Sequence, residues 1–376
     1  MPDAGCLKPD AGSLPSPSVA RVGIFGLPNS GKTTLFNALT GLDAPTASHP
    51  YSTTEPNIGV ARVDDDRLDR AAAVEHSAKI VRATLDLLDL PAMAGTGGGG
   101  FGGQFLGRLR EMEALVGVLR SFEDESVTDA DSGTDPSIQA ENLLLELTLA
   151  DSEVFGRRSE RAAKEAGSDA AKKSFAAAVE RAAEHLQGGT PLRVASWTHE
   201  ELNAFRDMAP LTLKPTVWVV NVGEDEPGSD GLCGAVSAVV PAGDVVVALS
   251  AAIEEEAARL DPSDRTELLE GLGLGEGALA TMVRAVYSAV GLLSFFTIGP
   301  KEAHAWTVRR GATAPEAAGK IHSDLERGFI RAEVTPIESV IAAGGWGPAK
   351  AAGKVRLEGK DYVVTEGDVI EVRFSV

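Results

Sequence analysis

Short apolar runs alternate with polar, helix-forming stretches up to about residue 120 of this 376-residue chain. Four of the runs have the length and composition of β-strands, and they lie at residues 22–25, 58–63, 84–89 and 115–119. Alternating strands and helices are typical of a parallel sheet that is covered by helices. We therefore predict an α/β domain with a largely parallel central sheet.

The spacing of the apolar residues becomes helical after residue 137. Leu143 and Leu147 recur at helical spacing, and an alanine-rich run with interspersed Glu and Lys covers residues 170–187. This pattern predicts an antiparallel helical hairpin, residues 138–208, inserted into the α/β domain. The alternating pattern then resumes, with strands predicted at 216–221 and 245–249 and helices predicted at 253–260 and 278–290.

The pattern changes again near residue 291, where short strand-like runs surround one predicted helix. The strands are predicted at 295–298, 304–308, 330–334 and 369–374, and the helix at 314–326. We expect an α/β domain over residues 19–137 and 209–290, and a small α+β domain over residues 291–376. Residues 1–18 are rich in Pro, Asp and Gly without an apolar core, so we expect a disordered lead-in.

Composition and charge narrow the function classes. The net charge of −20 opposes attraction of the whole surface to nucleic acid, because phosphate binding relies on Lys and Arg, although a local basic face stays open. The acidic excess is better explained as a solubility device. No apolar run is long enough to span a membrane. The two cysteines, Cys6 and Cys233, argue against a disulfide framework and indicate a reducing cytoplasm. We interpret the stretch around Cys233, residues 230–234, as a glycine-rich turn.

The sequence GLPNSGKT at residues 26–33 carries the most specific signal for function. It follows the first predicted strand and runs directly into a helix-forming run, which is the context of a P-loop. Glycines let the backbone curl so that successive N–H groups point at one phosphate, and the helix N-terminus adds a favourable dipole. In this arrangement Lys32 reaches the β- and γ-phosphates, and the hydroxyl of Thr33 is a ligand of Mg²⁺.

Two further residues are candidates for the metal and γ-phosphate site. Asp89 ends an apolar strand, and a carboxylate there holds Mg²⁺ through a water. Thr53 lies in the polar loop 48–57 and is positioned to offer an oxygen to Mg²⁺ and the γ-phosphate, as in a first switch. The glycine-rich stretch 93–103 loses much backbone entropy on ordering, so we expect movement or a ligand to order it.

Asn29 allows two interpretations. In some P-loop GTPases an asparagine at this position helps to hold K⁺ beside the phosphates, where a cation neutralises charge in the transition state. The alternative is a polar loop residue that favours the left-handed backbone conformation. Both interpretations stay open at this point.

Asn221 and Glu224 lie where a base-recognition motif belongs, at the end of a predicted strand. A guanine pocket uses Asp at the fourth position to accept from the N1–H and the 2-amino group, and adenine offers neither donor. Glu224 is one methylene longer than Asp, so that fitted contact does not form unchanged. Asn221 remains able to bond a purine N7 and exocyclic group. The sequence therefore favours ATP at least as much as GTP.

These residues together define the candidate site. The predicted catalytic residues are Lys32, Thr53 and Asp89, with Mg²⁺ held by Thr33, Thr53 and Asp89 and K⁺ assigned to Asn29 as the open alternative. The predicted nucleotide-binding residues are Asn29, Ser30, Gly31, Lys32, Thr33, Thr34, Asn221, Val222, Glu224, Ser250 and Ala251.

The chain resembles the YchF/Obg-like ATPase family, within the translation-factor-related P-loop NTPases, nearly from end to end. The resemblance rests on residues 26–40, Thr53 with 55–57, 120–124, Asn221 with Glu224, and the stretch 295–322. It implies a G domain, a helical-hairpin domain and a C-terminal β-grasp domain of the TGS type. It also implies ATP preferred over GTP, association with ribosomes, and Met93 in place of the glutamine that orients water in Ras-like enzymes.

The sequence departs from that family pattern at two places. The family's Asp-x-x-Gly is Asp89-Leu90-Pro91-Ala92 here, which loses the backbone freedom of glycine. The family's Ser-Ala-Lys is Ser250-Ala251-Ala252, which removes a lysine whose stem packs on the base. These changes bear on turnover and base affinity rather than on the fold.

Three hypotheses follow. The first is a slow, switch-type ATPase, monomeric, whose partner is the ribosome. The second is a nucleotide-sensing module with little or no hydrolysis, and the third is an RNA-binding protein in which the NTPase domain is only a scaffold. RNA contact is expected through the hairpin and the C-terminal TGS domain. On the hairpin it rests on a basic set, Arg157, Arg158, Arg161, Lys164, Lys172 and Lys173. Interleaved Glu160 and Glu165 suit an ion-paired, solvated surface equally well.

Overall fold

The computed structural model describes residues 20–45, 56–90, 101–123, 133–224, 230–272, 274 and 277–375. The strands are β1 (Arg21–Gly26), β2 (Asn57–Val63), β3 (Ile80–Val81), β4 (Ala83–Asp89), β5 (Ala114–Ser121), β6 (Thr216–Val222), β7 (Val245–Leu249), β8 (Leu292–Ile298), β9 (Ala303–Arg309), β10 (Phe329–Pro336), β11 (Arg356–Glu358) and β12 (Asp368–Phe374). The helices are α1 (Lys32–Thr40), α2 (Asp66–Glu75), α3 (Gly103–Arg110), α4 (Pro136–Glu165), α5 (Ala170–Gln187), α6 (His199–Phe205), α7 (Asp230–Val239), α8 (Ala251–Ala258), α9 (Pro262–Gly271), α10 (Ala278–Ala289), α11 (Ala314–Ile321), α12 (Ser323–Arg327), α13 (Ile337–Ala343) and α14 (Trp346–Ala351).

The first sheet has the strand order β2-β4-β1-β5-β6-β7. All neighbouring pairs in it are parallel except β2 with β4, which is antiparallel. Strand β6 is buried at every position, as expected for a central parallel strand that helices cover on both faces. Edge strand β2 instead alternates buried and exposed residues. The predicted α/β fold class and the largely parallel sheet are confirmed.

The inserted hairpin consists of α4 and α5, and each helix begins with an aspartate cap. Asp135 accepts from the backbone N–H of Ser137, and Asp169 accepts from that of Ala171. Gly167 supplies the left-handed backbone (φ 45°) between the two helices. The first half of α4 packs on the first sheet, and its second half joins α5 in a separate apolar cluster centred on Phe155. The hairpin is therefore fixed at its base and extends away from the sheet.

The second sheet has the order β11-β10-β12-β8-β9-β3, and α11 packs on it. Strand β3 comes from the first part of the chain and pairs in parallel with β9. One apolar cluster runs without a break from Leu68 in α2 to Phe296 and Val340 beyond residue 290. The C-terminal fold is consequently joined to the first sheet by a strand and by a shared core. The domain boundaries given above stay a prediction.

Two predictions of local structure are wrong. The single helix predicted over residues 314–326 is two helices, because His322 adopts an extended conformation (φ −165°, ψ 140°) between α11 and α12. Its Nδ1 accepts from the backbone N–H of Asp324, so the ring caps α12. The stretch 230–234, interpreted as a turn, begins helix α7, and Cys233 is half-buried there.

Some predictions fall on residues outside the described ranges. These are the lead-in 1–18, the loop with Thr53, and most of the glycine-rich stretch with Pro91, Ala92 and Met93. Within the ranges that the structure describes, none of the helices is long and apolar enough to cross a membrane.

Candidate functional site

The predicted site residues that the structure describes gather at one edge of the first sheet. Parallel strands β1, β4, β5, β6 and β7 all end at this edge, and antiparallel β2 begins there. The carboxyl ends of parallel strands are where α/β sheets bind ligands. The loop from Gly26 to Gly31 crosses this edge between β1 and α1.

At two positions of the loop, the backbone conformation and the surrounding space admit only glycine. Gly26 and Gly31 have φ angles of 155° and 89°, in the region that disfavours other residues. A Cβ atom on Gly26 would lie 2.4 Å from the carbonyl oxygen of Val118, and one on Gly31 would lie 2.1 Å from Nδ2 of Asn221. The loop therefore passes close to β5 and β6, where side chains would block it.

Lys32 is a buried cation at the start of α1. The residue is 7% exposed, and its Nζ donates to the carbonyl oxygen of Leu27 at 2.7 Å. Burial lowers the pKa of Lys32 to about 8, and the charge of Asp89 partly offsets that effect. The neighbouring Ser30 hydroxyl is fully buried and has no hydrogen-bond partner in the described part of the chain. The loop thus contains polar groups that a phosphate can use.

Thr33, Asp89 and Asn57 form one hydrogen-bonded set beside the loop. The hydroxyl of Thr33 donates to Oδ2 of Asp89 at 2.8 Å, and Nδ2 of Asn57 donates to the same oxygen at 3.0 Å. Asp89 is 4% exposed. A threonine hydroxyl beside a buried carboxylate is the oxygen-rich donor set that suits Mg²⁺ next to a bound phosphate chain. The residues present therefore fit a magnesium ion.

Asn57 was not among the predicted site residues. In the sequence, Asn57 belongs to the stretch 55–57 that contributes to the family resemblance, but no role was assigned to it. The register of β2 against β4 makes it the direct partner of Asp89. The antiparallel pairing of β2 with β4 brings the two residues together.

Asn221 connects the P-loop to the segment that follows β7. Its Nδ2 donates to the carbonyl oxygen of Ser30 at 3.0 Å, and its Oδ1 accepts from the backbone N–H of Ala251 at 2.9 Å. Asn221 is buried, and Ser250 is buried beside Ala251. The asparagine therefore positions two parts of the site. Its direct contact with a purine stays a prediction.

The remaining predicted residues differ in exposure. Val222 is buried in β6, Glu224 is exposed in the turn after it, and Thr34 is half-buried in the first turn of α1. Asn29 is half-buried and has a φ of 58°, so the left-handed conformation of the loop interpretation is present. The potassium interpretation stays a prediction. Thr53 lies outside the described residues.

Two family models match the chain. A model described as a 50S ribosome-binding GTPase matches residues 21–144. A model of the YchF GTPase C-terminal family, described as a protein of unknown function, matches residues 292–375. The first of these covers the P-loop, Asp89 and the start of the hairpin.

The chain is similar over nearly its full length to characterised relatives. It is 39% identical to the ribosome-binding ATPase YchF of Bacillus subtilis (strain 168), over 94% of this chain and 99% of the relative. It is 40% identical to the ribosome-binding ATPase YchF of Escherichia coli O157:H7, over 95% of this chain and 99% of the relative. It is 32% identical to Obg-like ATPase 1 of Oryza sativa subsp. japonica, over 98% of this chain and 97% of the relative.

A solved structure has the same overall fold. The YchF GTPase of Schizosaccharomyces pombe superimposes with a TM-score of 0.83 at 28% identity, covering 96% of this chain and 99% of that one. The similarity in sequence and in fold extends through the P-loop, the hairpin and the C-terminal sheet. This chain therefore belongs to the YchF family of P-loop NTPases.

Proposed function

We propose that this chain is a ribosome-binding ATPase that hydrolyses ATP slowly and acts as a nucleotide switch in the cytoplasm. The observation that carries the proposal is the buried P-loop lysine, Lys32, beside the hydrogen-bonded pair Thr33 and Asp89. The relatives named ribosome-binding ATPase YchF, which this chain matches over 99% of their length, support both the activity and the partner.

Binding of the phosphate chain rests on the loop and on Lys32. The backbone N–H groups of the loop and the N-terminus of α1 are donors for phosphate oxygens. Lys32 interacts strongly with a phosphate because its buried charge is little screened by water. The unpartnered hydroxyl of Ser30 adds a donor within the loop.

Thr33 and Asp89 would hold the metal. When bound, Mg²⁺ neutralises the charge that develops on the phosphate oxygens during transfer. Thr53 is proposed for the same shell from the sequence. A dependence on K⁺ is proposed through Asn29, and hydrolysis rates in K⁺ and Na⁺ buffers of equal ionic strength test it. Equal rates would leave Asn29 as a loop-forming residue only.

Base selection is proposed to depend on Glu224. Both polar atoms of Asn221 have protein partners, in the loop and at Ala251. Glu224 is exposed and is longer by one methylene than the aspartate that fits guanine. These features support ATP over GTP.

Calorimetric titration with ATP and with GTP, in buffer with Mg²⁺ and K⁺, tests the nucleotide preference. We expect tighter binding of ATP, release of phosphate above the protein-free rate, and a shift toward GTP in Glu224→Asp. The matched control is Asp43→Asn, an exposed acidic residue outside the site. Tighter binding of GTP by the wild type would overturn the preference. ATP binding without phosphate release would favour the nucleotide-sensing alternative.

The tip of the hairpin is the proposed contact with ribosomal RNA. Residues 157–173 carry six basic and three acidic side chains, in a chain with a net charge of −20. Arg157 and Arg158 have ion pairs with Glu153 and Glu165. The other four, Arg161, Lys164, Lys172 and Lys173, have no ion-pair partner within the described ranges and are exposed. We propose that the monomer docks through this tip.

Sedimentation with ribosomes over a series of salt concentrations tests the contact. Replacing the four unpaired tip residues by Ala is expected to weaken binding about tenfold and to flatten its salt dependence, because fewer counterions are released. The matched control replaces four exposed basic residues of the C-terminal part, which are Arg310, Arg331, Lys354 and Lys360. If the control set loses more affinity than the tip set, the docking surface is the C-terminal sheet instead.

A further inference from the structure

Asn57 connects edge strand β2 to Asp89, one of the proposed metal ligands. It is the first residue of β2 and stands directly opposite Asp89, the last residue of β4. Its amide donates to Oδ2 of Asp89 at 3.0 Å, the oxygen that also accepts from Thr33 at 2.8 Å. Because Asp89 is 4% exposed, little water competes with these two donors.

Two donors on one oxygen restrict the carboxylate. A single hydrogen bond from Thr33 would let the Asp89 carboxyl group rotate about its last bond, since that torsion is broad. A second donor from the opposite strand fixes the plane of the carboxylate. Among the described residues, none donates a hydrogen bond to Oδ1 of Asp89, so that oxygen keeps its acceptor capacity.

We propose that Asn57 is a positioning residue that holds the Asp89 carboxylate in place for Mg²⁺. This inference rests on the proposed function, because it assigns Asp89 to the metal. Asparagine suits the role for two reasons. Its amide donates without bringing a second negative charge beside Asp89, and its short side chain spans the distance between directly opposed residues of an antiparallel pair.

The role predicts an effect on metal use rather than on nucleotide binding itself. In Asn57→Ala, the affinity for ATP in EDTA is expected to match the wild type. The gain in affinity that Mg²⁺ brings, and the apparent affinity for Mg²⁺, are expected to fall about tenfold, the scale of one hydrogen bond to a charged group. Asn57→Gln keeps a donor and is expected to recover part of that loss.

The experiment titrates Mg²⁺ against a fluorescent ATP analogue on the full chain and records binding and thermal unfolding together. Ile58→Ala is the matched control, because Ile58 is the next residue of the same strand and is 68% exposed. We expect Ile58→Ala to keep the wild-type dependence on Mg²⁺. An unfolding temperature of Asn57→Ala close to that of Ile58→Ala would separate the metal effect from a loss of folding.

Three results overturn the inference. If Asn57→Ala keeps the wild-type dependence on Mg²⁺, the amide does not position Asp89, while the proposed function stands. If Asn57→Ala weakens binding equally in EDTA and in Mg²⁺, Asn57 supports the pocket and not the metal ligand. If the wild type binds no nucleotide in either buffer, the proposed function fails, and this inference fails with it.

Discussion

Charged side chains are buried at both ends of the first sheet, and their surroundings differ. At the amino ends of β5 and β6, the fully buried carboxylate of Asp151 pairs with Arg110 at 2.7 Å. It also accepts from the backbone N–H groups of Leu211 and Thr212 and from the Thr212 hydroxyl. At the carboxyl ends, Lys32 bonds one carbonyl and the Ser30 hydroxyl bonds nothing within the described part.

Lys32 and Lys214, whose pKa values are both lowered, show the same difference in surroundings between the two ends of the sheet. Burial lowers the pKa of Lys32 and of Lys214 to about 8 in both cases, and the charge of Arg110 adds to the effect at Lys214. Lys214 donates to the carbonyl oxygens of Arg110 and Met112, which tie the start of β6 to the segment before β5. Burial of a charge therefore does not identify a site. Unused polar capacity alone does not identify a site either, since Nε of Arg193 at the amino ends also has no hydrogen-bond partner within the described residues. What distinguishes Lys32 is its place on the P-loop beside the Ser30 hydroxyl, which has no partner in the same part of the chain.

The largest expected effect is at the amino ends, in Asp151→Ala. Removing this carboxylate leaves the half-buried Arg110 charge without its counter-ion, although backbone carbonyl groups still accept from it, and leaves two backbone N–H groups without their acceptor. We expect the free energy of unfolding to fall by about 3–5 kcal/mol. Urea unfolding measures this, with Glu153→Ala as the control, because Glu153 is an exposed partner of Arg157 on the same helix and contributes under about 1 kcal/mol.

A small loss of unfolding free energy in Asp151→Ala would contradict this prediction, because the cluster around Asp151 would then contribute little to stability. Hydrolysis per folded molecule is expected to stay at the wild-type rate. A selective loss of hydrolysis at wild-type stability would mean that the amino ends of the sheet take part in the chemistry.

The next effect is at the carboxyl ends, in Lys32→Met. Methionine keeps the apolar stem and removes the charge, so the phosphate loses its buried cation. We expect hydrolysis to fall on the order of 10²–10³-fold, or about 3–4 kcal/mol in barrier height, with the unfolding free energy almost unchanged. Phosphate release and urea unfolding of the same preparation check both parts. Wild-type hydrolysis in this variant would end the enzyme interpretation.

Lys214→Met is the counterpart at the other end. It removes the same charge from a site with a similar pKa, but here two buried carbonyl groups lose their donor. We expect the unfolding free energy to fall by about 1–3 kcal/mol and hydrolysis per folded molecule to be retained. Thermal unfolding with an activity assay on the soluble fraction measures both. If Lys32→Met and Lys214→Met gave the same pattern, the distinction between the two ends would be lost.

The grouping of the candidate site residues was easier to predict from the sequence than their surroundings, for a local reason. The P-loop and the strand ends are short, contiguous signals, and the structure brings Lys32, Thr33 and Asp89 close together. Period-2 and period-3.6 patterns likewise gave the central strands within two residues and α5 at its observed bounds. These features depend on neighbours along the chain.

The missed features depend on distant contacts. Asn57 joins the site only through the register of β2 on β4, and β3 finds its partner more than 200 residues away in β9. His322 interrupts a helical pattern because its ring caps the next helix. Asp151 reads as an ordinary acidic residue of a long helix, and only the packed structure shows its four acceptor contacts.

Glu254 is a third buried ionisable side chain, and its replacement has the smallest expected effect. It is 2% exposed, and its Oε1 accepts from the backbone N–H of Ala278 at 2.7 Å at the start of α10. Its Oε2 has no hydrogen-bond partner in the described part of the chain. This unused oxygen lies against Gly277, at the N-terminus of α10. If unused capacity marks a site only where a ligand has access, Glu254→Gln should leave hydrolysis unchanged.

The pH dependence of stability decides what Glu254 does instead. Burial raises the pKa of Glu254 above 4.5, its ordinary value, so the folded state holds the proton more tightly than the unfolded state. Its contribution to stability is therefore full below pH 4.5 and is lost as the pH rises through the folded pKa.

Glutamine cannot ionise, so Glu254→Gln does not lose this stability as the pH rises. We expect the unfolding free energy of Glu254→Gln to rise relative to that of the wild type as the pH increases from 5 to 7.5. Urea unfolding at both pH values measures the gain, with Glu256→Gln, an exposed neighbour on α8, as the control. A difference that does not change with pH would show that the carboxyl group is ionised at both values, and that the α10 N-terminus stabilises its charge.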